Sequence, residues 1–113
     1  HSYLTPRSEV YRAYLEMEKA TFHDGALSKK HKELIAIALS VTSNCESCMQ
    51  WHIEQALKDG ADQEEIIDAI GVAIHMGVGP VTVNSRFATR VLDHLTSEAK
   101  DRQAEEVLSA QNL

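Results

Sequence analysis

Cysteine is nearly absent from this chain of 113 residues: there are two, Cys45 and Cys48, three positions apart. One such pair cannot staple a secreted scaffold, which needs several bridges, so the pattern suits a reducing compartment where the two thiols cycle. Cationic excess is missing too. A net charge of −6 argues against a surface for nucleic acid or an anionic membrane, since both need clustered Lys and Arg. No charge-free apolar run approaches the ~20 residues of a membrane span, and no secretory signal is read ahead of the first helix. Internal repeats, low-complexity segments and convincing strands are likewise lacking. What is present, 43% hydrophobic and 25% charged residues, is ordinary for a globular protein. These features predict one cytoplasmic domain over residues 1–113 with a modest core of its own.

The apolar residues recur at helical spacing throughout. Thr5-Pro6 reads as an N-cap followed by a proline in the first helical position, opening a helix over residues 5–23 with Val10, Ala13, Tyr14 and Met17 on one stripe. Ser28 caps a second helix that runs to about Thr42. Leu34, Ile35, Ile37, Ala38, Leu39 and Val41 fall on nearly every side of it, so it demands burial all round, which predicts oligomerisation at or near this helix. Ser43 or Asn44 caps a third helix that ends at Lys58-Asp59, with Gly60 beyond it. Asp62 and Glu65 form a capping box ahead of the Ile66, Ile70, Ala73, Ile74 and Gly77 stripe. Gly77-Val78-Gly79-Pro80 breaks that run, and Pro80 starts a further helix faced by Phe87, Ala88, Val91, Leu92 and Leu95. Residues 97–113 form a polar helix or an arm that docks on a neighbour. The expectation is an all-α fold of about five to six largely antiparallel helices, with its core over residues 27–95.

In a helical chain the Cys45-x-x-Cys48 pair follows one helix and opens another, unlike the strand that precedes such a pair in thioredoxin-like folds. Met49 stands where haem attachment would need a histidine. At a helix N-terminus the unpaired N–H groups and the helix dipole favour the reactive thiolate. Position at the terminus favours Cys45 as the more acidic thiol. His52, one turn after Cys48 on the same face, favours Cys48 instead. If the second and third helices form a hairpin turning near Asn44, Glu33 lies opposite the region one turn beyond His52. Glu33, His52 and Cys48 then line up as carboxylate, imidazole and thiol.

Glu33, eleven intervening residues, Cys45-x-x-Cys48, three residues and His52 resemble the signature of the AhpD-like alkylhydroperoxidases of the carboxymuconolactone decarboxylase superfamily. A weaker likeness extends from about Leu27 to Leu95 and includes His75 to Pro80. The resemblance implies an all-helical protomer that forms homotrimers or homohexamers. It implies a peroxidase of antioxidant defence in which Cys48 attacks a hydroperoxide and Cys45 resolves the sulfenic acid to a disulfide. Glu33 and His52 form the proton relay, and a dihydrolipoyl or thioredoxin-like dithiol supplies electrons without a cofactor. Ser47 departs from the pattern, since the best-known members carry a relay histidine there; its hydroxyl can pass a proton but not act as a base.

Two other classes stand beside this one. One is a non-catalytic oligomeric module that senses redox state or binds metal through Cys45, Cys48, His52 and Glu33. The other is a superfamily enzyme acting on a small organic acid, as the carboxymuconolactone decarboxylases do. His31 and His94 read as surface residues, His75 as structural, and Met49 and Trp51 as packing.

Overall fold

A computed structural model describes residues 2–111. Its helices are α1 (Glu9–Thr21), α2 (Lys29–Thr42), α3 (Glu46–Lys58) and α4 (Gln63–Gln111). The all-α expectation holds, with four helices where five to six were expected. The difference lies in α4. Gly77 to Pro80 bends the chain at Val78 (φ 54°, ψ −124°) without opening a loop, and residues 97–111 prolong the same helix as an exposed arm. Pro80 has no N–H for the carbonyl four residues back and its ring crowds that carbonyl. A break two residues earlier accommodates it. The conformation at Val78 is one that β-branched residues rarely adopt. Gly77 is required beside it, because a Cβ there would run into the side chain of Val81.

Helix starts and stops explain the rest. α1 begins at Glu9, later than expected: Thr5 and Pro6 lie in a turn, and Ser8 is the cap, its hydroxyl accepting from the Tyr11 N–H at 3.0 Å. Ser28 caps α2 as expected, accepting from the His31 N–H. Ser43 and Asn44 do not cap α3; they terminate α2. Asn44 takes φ 55°, its N–H donates to Val41 O, and the Cys45 N–H donates to Ser40 O. This is a Schellman ending, in which a short polar residue tolerates the left-handed position. The next residue, Cys45, thereby becomes the N-cap of α3. The same motif closes α3, with Gly60 at φ 92° and the Ala61 N–H donating to Ala56 O. Asp62 and Glu65 make the expected reciprocal capping box, at 2.8 and 3.1 Å.

The core joins α2, α3 and α4. Ile37 and Val41 of α2 meet Met49, Ile53 and Ala56 of α3, and α4 covers them with Ile66, Ile70, Ala73, Val81, Ala88 and Leu92. Each large side chain buried this way contributes roughly 1.5–3 kcal/mol relative to exposure. Asn84 of α4 donates to Val41 O at the α2–α3 turn, fixing the turn against the third layer. α4 also holds one stretch long and apolar enough to cross a membrane, but Asp68 interrupts it, Val78 bends it, and Ile66, Ile70, Ala73 and Val81 are committed to the core.

α1 departs most from expectation. It has no buried residue, and its predicted stripe faces solvent, with Val10 82% exposed. The face that turns inward is Tyr11, Leu15, Glu18 and Phe22, all half-buried. α1 is held to the hairpin by its C-terminal end, where Lys32 donates to Thr21 O and Trp51 Nε1 donates to Glu18 Oε1 at 3.2 Å.

Candidate functional site

Cys45 and Cys48 are joined in a disulfide, their Cα atoms 5.2 Å apart. The ring spans the first turn of α3, and both residues are half-buried. Most helices place Ser, Thr, Asp or Asn at the N-cap to satisfy the first N–H groups. Cys45 makes no side-chain cap bond. The positive end of α3 is therefore left facing the two sulfurs, which favours a thiolate once the bridge is reduced. Ser47 is exposed, with its hydroxyl 3.6 Å from Cys45 Sγ. Among the described residues no hydrogen bond links it to His52 or Glu33.

Glu33 and His52 meet as the spacing predicts. The imidazole Nδ1 stands 2.6 Å from Glu33 Oε2, across the α2–α3 hairpin. Glu33 is only 2% exposed and His52 is 16% exposed at the side chain. A carboxylate oxygen accepts, so Nδ1 is the nitrogen that donates its proton across this contact. Nε2 has no hydrogen-bond partner among the described residues. It is also not sealed off, since among the described residues no buried polar side-chain atom lacks a partner. His52 makes no hydrogen bond to either sulfur in the bridged form. The ring of Phe22 lies 5.1 Å from the imidazole, centroid to centroid, and shields one face of it.

The sequence reading passed over several participants. Lys29 Nζ lies 3.4 Å from Glu33 Oε1, and the same ammonium is paired with Asp59 just after α3. Burial alone would depress the Lys29 pKa. The hydrogen bond and charge of Asp59, together with the charge of Glu33, outweigh burial and hold it above the usual 10.5. The i,i+4 spacing of Lys29 and Glu33 was a usable signal; Asp59 and Phe22 come from the tertiary fold. Trp51, expected to pack, is 47% exposed. With Ala13, Leu15, Phe22, Lys29 and Glu33 it lines an open cleft of about 750 Å³ between α1 and the hairpin. Met49 is fully buried, as expected, whereas His75 is exposed rather than structural; His31 and His94 are at the surface. Among the described residues no group of three or more His, Cys, Asp or Glu is placed to hold a metal ion in this disulfide-bonded form.

Fold and site together define a small all-helical protein with a vicinal dithiol at a helix start and a buried carboxylate–imidazole pair beside it. The family model described as the carboxymuconolactone decarboxylase family matches residues 8–90, and the chain belongs to that family. It is 39% identical over 83 residues to an uncharacterised protein encoded in the cox locus of Paracoccus denitrificans, covering 74% of this chain and 75% of that one. The crystal structure of a carboxymuconolactone decarboxylase family protein from Legionella pneumophila, in its apo form, superposes with a TM-score of 0.73 at 35% identity, over 76% of this chain and 77% of the other. A family member from Thermotoga maritima, described as a candidate in the antioxidative response, gives a TM-score of 0.78 at 26% identity, over 83% and 97%.

Proposed function

We propose that this protein is a thiol-dependent peroxidase that reduces hydroperoxides through a Cys45–Cys48 dithiol/disulfide cycle. The observation that carries the reading is the disulfide itself, closed at the positive end of α3 with the Glu33–His52 pair one turn away. In the reduced protein the Cys48 thiolate attacks one peroxide oxygen. His52 Nε2 takes the Cys48 thiol proton; the S–O bond then forms as the O–O bond breaks, and the imidazolium returns that proton to the departing alkoxide, which leaves as an alcohol. Cys45 then attacks the Cys48 sulfenic acid, forming the S–S bond and releasing water, which prevents over-oxidation. An external dithiol returns the bridge to two thiols and is itself oxidised to a disulfide. A dihydrolipoyl or thioredoxin-like donor in the cytoplasm suits this step, with the protein working as a homotrimer or homohexamer. Ser47 lies beside Cys45 Sγ, where it can hold a water at the resolving sulfur.

The test is a hydroperoxide-consumption assay with a panel of dithiol reductants. Cys48→Ser is expected to abolish turnover. Cys45→Ser is expected to consume about one equivalent of peroxide and accumulate a trappable sulfenic acid. Identical losses in the two variants, with no sulfenic acid trapped, would overturn the roles assigned to them.

A second reading has its own support. The matching family is described by a decarboxylase, which speaks more directly for an enzyme acting on a small organic acid than for a peroxidase. Under that reading the Glu33–His52 pair does the proton transfer and the thiols are secondary. Activity on an organic acid that survives the Cys45→Ser, Cys48→Ser double substitution, with no peroxide consumption by the parent protein, would favour it.

A further inference from the structure

The charges at the start of α2 run against local preference. Lys29, Lys30 and Lys32 occupy the first turn with no acidic residue among them, where the positive end of the dipole disfavours cations. Lys29 also precedes Glu33 in the weaker orientation for an i,i+4 pair. Two of these lysines are compensated from elsewhere in the fold, Lys29 by Asp59 and Lys30 by Glu65. Lys29 alone also reaches the buried carboxylate of the site. A residue kept against its local propensity points to a task beyond helix stability.

A carboxylate 2% exposed must be neutralised by a partner or by a proton. Glu33 has two charge partners, and they differ in kind. His52 on Oε2 can be neutral or cationic; Lys29 on Oε1 is cationic at every pH where the protein works. The other charged groups near this cleft come from α1: Arg12, Glu16, Glu18 and Lys19 line it, with Glu18 engaged by Trp51 Nε1. Asp59 approaches from the end of α3, α4 contributes no residue to the cleft, and Glu54 and Lys58 line a different surface depression. None of the α1 groups is hydrogen-bonded to Glu33.

We propose that Lys29 is a positioning residue: its ammonium is the permanent counter-charge of Glu33, which leaves His52 free to stand neutral, with Nδ1–H donated to the carboxylate and Nε2 open as a base. Without that ammonium, the buried carboxylate has only the imidazole to balance it. Glu33 and His52 then keep one proton between them to higher pH, whichever of the two bears it, and the base is lost where the thiol must be deprotonated. This rests on the reading of the Glu33–His52 pair as the site's proton relay.

The experiment is an NMR titration of the His52 ring in the full-length oxidised protein, where the closed disulfide removes both thiols from the titration. In Lys29→Met and Lys29→Gln the midpoint is expected to rise by about one pH unit, the size of losing an opposite charge within hydrogen-bonding range of the pair. Lys29→Arg is expected to restore it to within about a third of that shift. The pH profile of thiol alkylation in the reduced variants is expected to move the same way. A midpoint unchanged in the folded neutral variants, or no recovery with arginine, overturns the proposal. Failure of both neutral variants to fold also overturns it, by making Lys29 structural. Because the titration needs no peroxide, a shifted midpoint without peroxide turnover sustains the role of Lys29 while removing the peroxidase reading.

Discussion

His52 sends its two ring nitrogens into different surroundings: Nδ1 lies against a buried carboxylate, and Nε2 has no hydrogen-bond partner among the described residues. That asymmetry suits the role of directed base proposed for His52 above. At this scale the consequence falls on Cys48. In a Cys45→Ser background, replacing His52 by Ala is expected to move the pH midpoint of Cys48 alkylation upward toward the ordinary thiol value of about 8.5. Alkylation kinetics from pH 5 to 10 check it, and a superimposable profile would remove His52 from the relay. Glu33 was legible in the sequence, because its spacing from the Asn44 turn sets it near His52. Lys29 was not singled out, because its role depends on the burial of Glu33, which no local pattern reveals.

At the level of elements, one residue type serves two ends. The Schellman ending of α2 spends Asn44 on a left-handed conformation, so Cys45 inherits the N-cap of α3 without a capping oxygen. Reading Ser43 or Asn44 as the cap of α3 was locally sound and failed because the left-handed Asn44 closes α2 and so moves the cap at least one residue further on, to Cys45. The start of α4 offers a prediction of its own. The Lys30 ammonium hydrogen-bonded to Glu65, then the Asp62 N–H, hold the Glu65 pKa below the usual 4.5. A lowered carboxylate pKa contributes stability that is present above about pH 4.5 and is lost as pH falls through the folded value. The urea midpoint of Glu65→Gln is therefore expected to lie below that of the parent at pH 7. The two midpoints are expected to converge below pH 4.5. A gap of the same size at pH 7 and at pH 2 would show that the charge of Glu65 contributes nothing.

For the whole molecule, the conspicuous property is apolar surface left over. Leu39 of α2 is 63% exposed and Met76 of α4 is 74% exposed, and Val10, Tyr14 and Met17 of α1 are exposed as well. Large exposed apolar patches mark association surfaces, in keeping with a second helix that is apolar on nearly every side. Sedimentation velocity is expected to find an assembly of three or more protomers, with Leu39→Asp combined with Met76→Asp shifting it toward the 12.6 kDa chain. A parent protein that sediments as that single chain would exclude the assembly.

The sequence alone determined the helical class, the dithiol at a helix start and the meeting of Glu33 with His52. Periodicity, caps and the length of a two-helix hairpin are local quantities, and adjacent helices joined by a tight turn have little freedom in register. The tertiary structure alone decided which face of α1 turns inward, that Phe22 covers the imidazole, and that Lys29 and Asp59 join the carboxylate. Those placements depend on how deeply Glu33 is buried and on how α1 leans against the hairpin, and both are set by packing between segments distant in the chain.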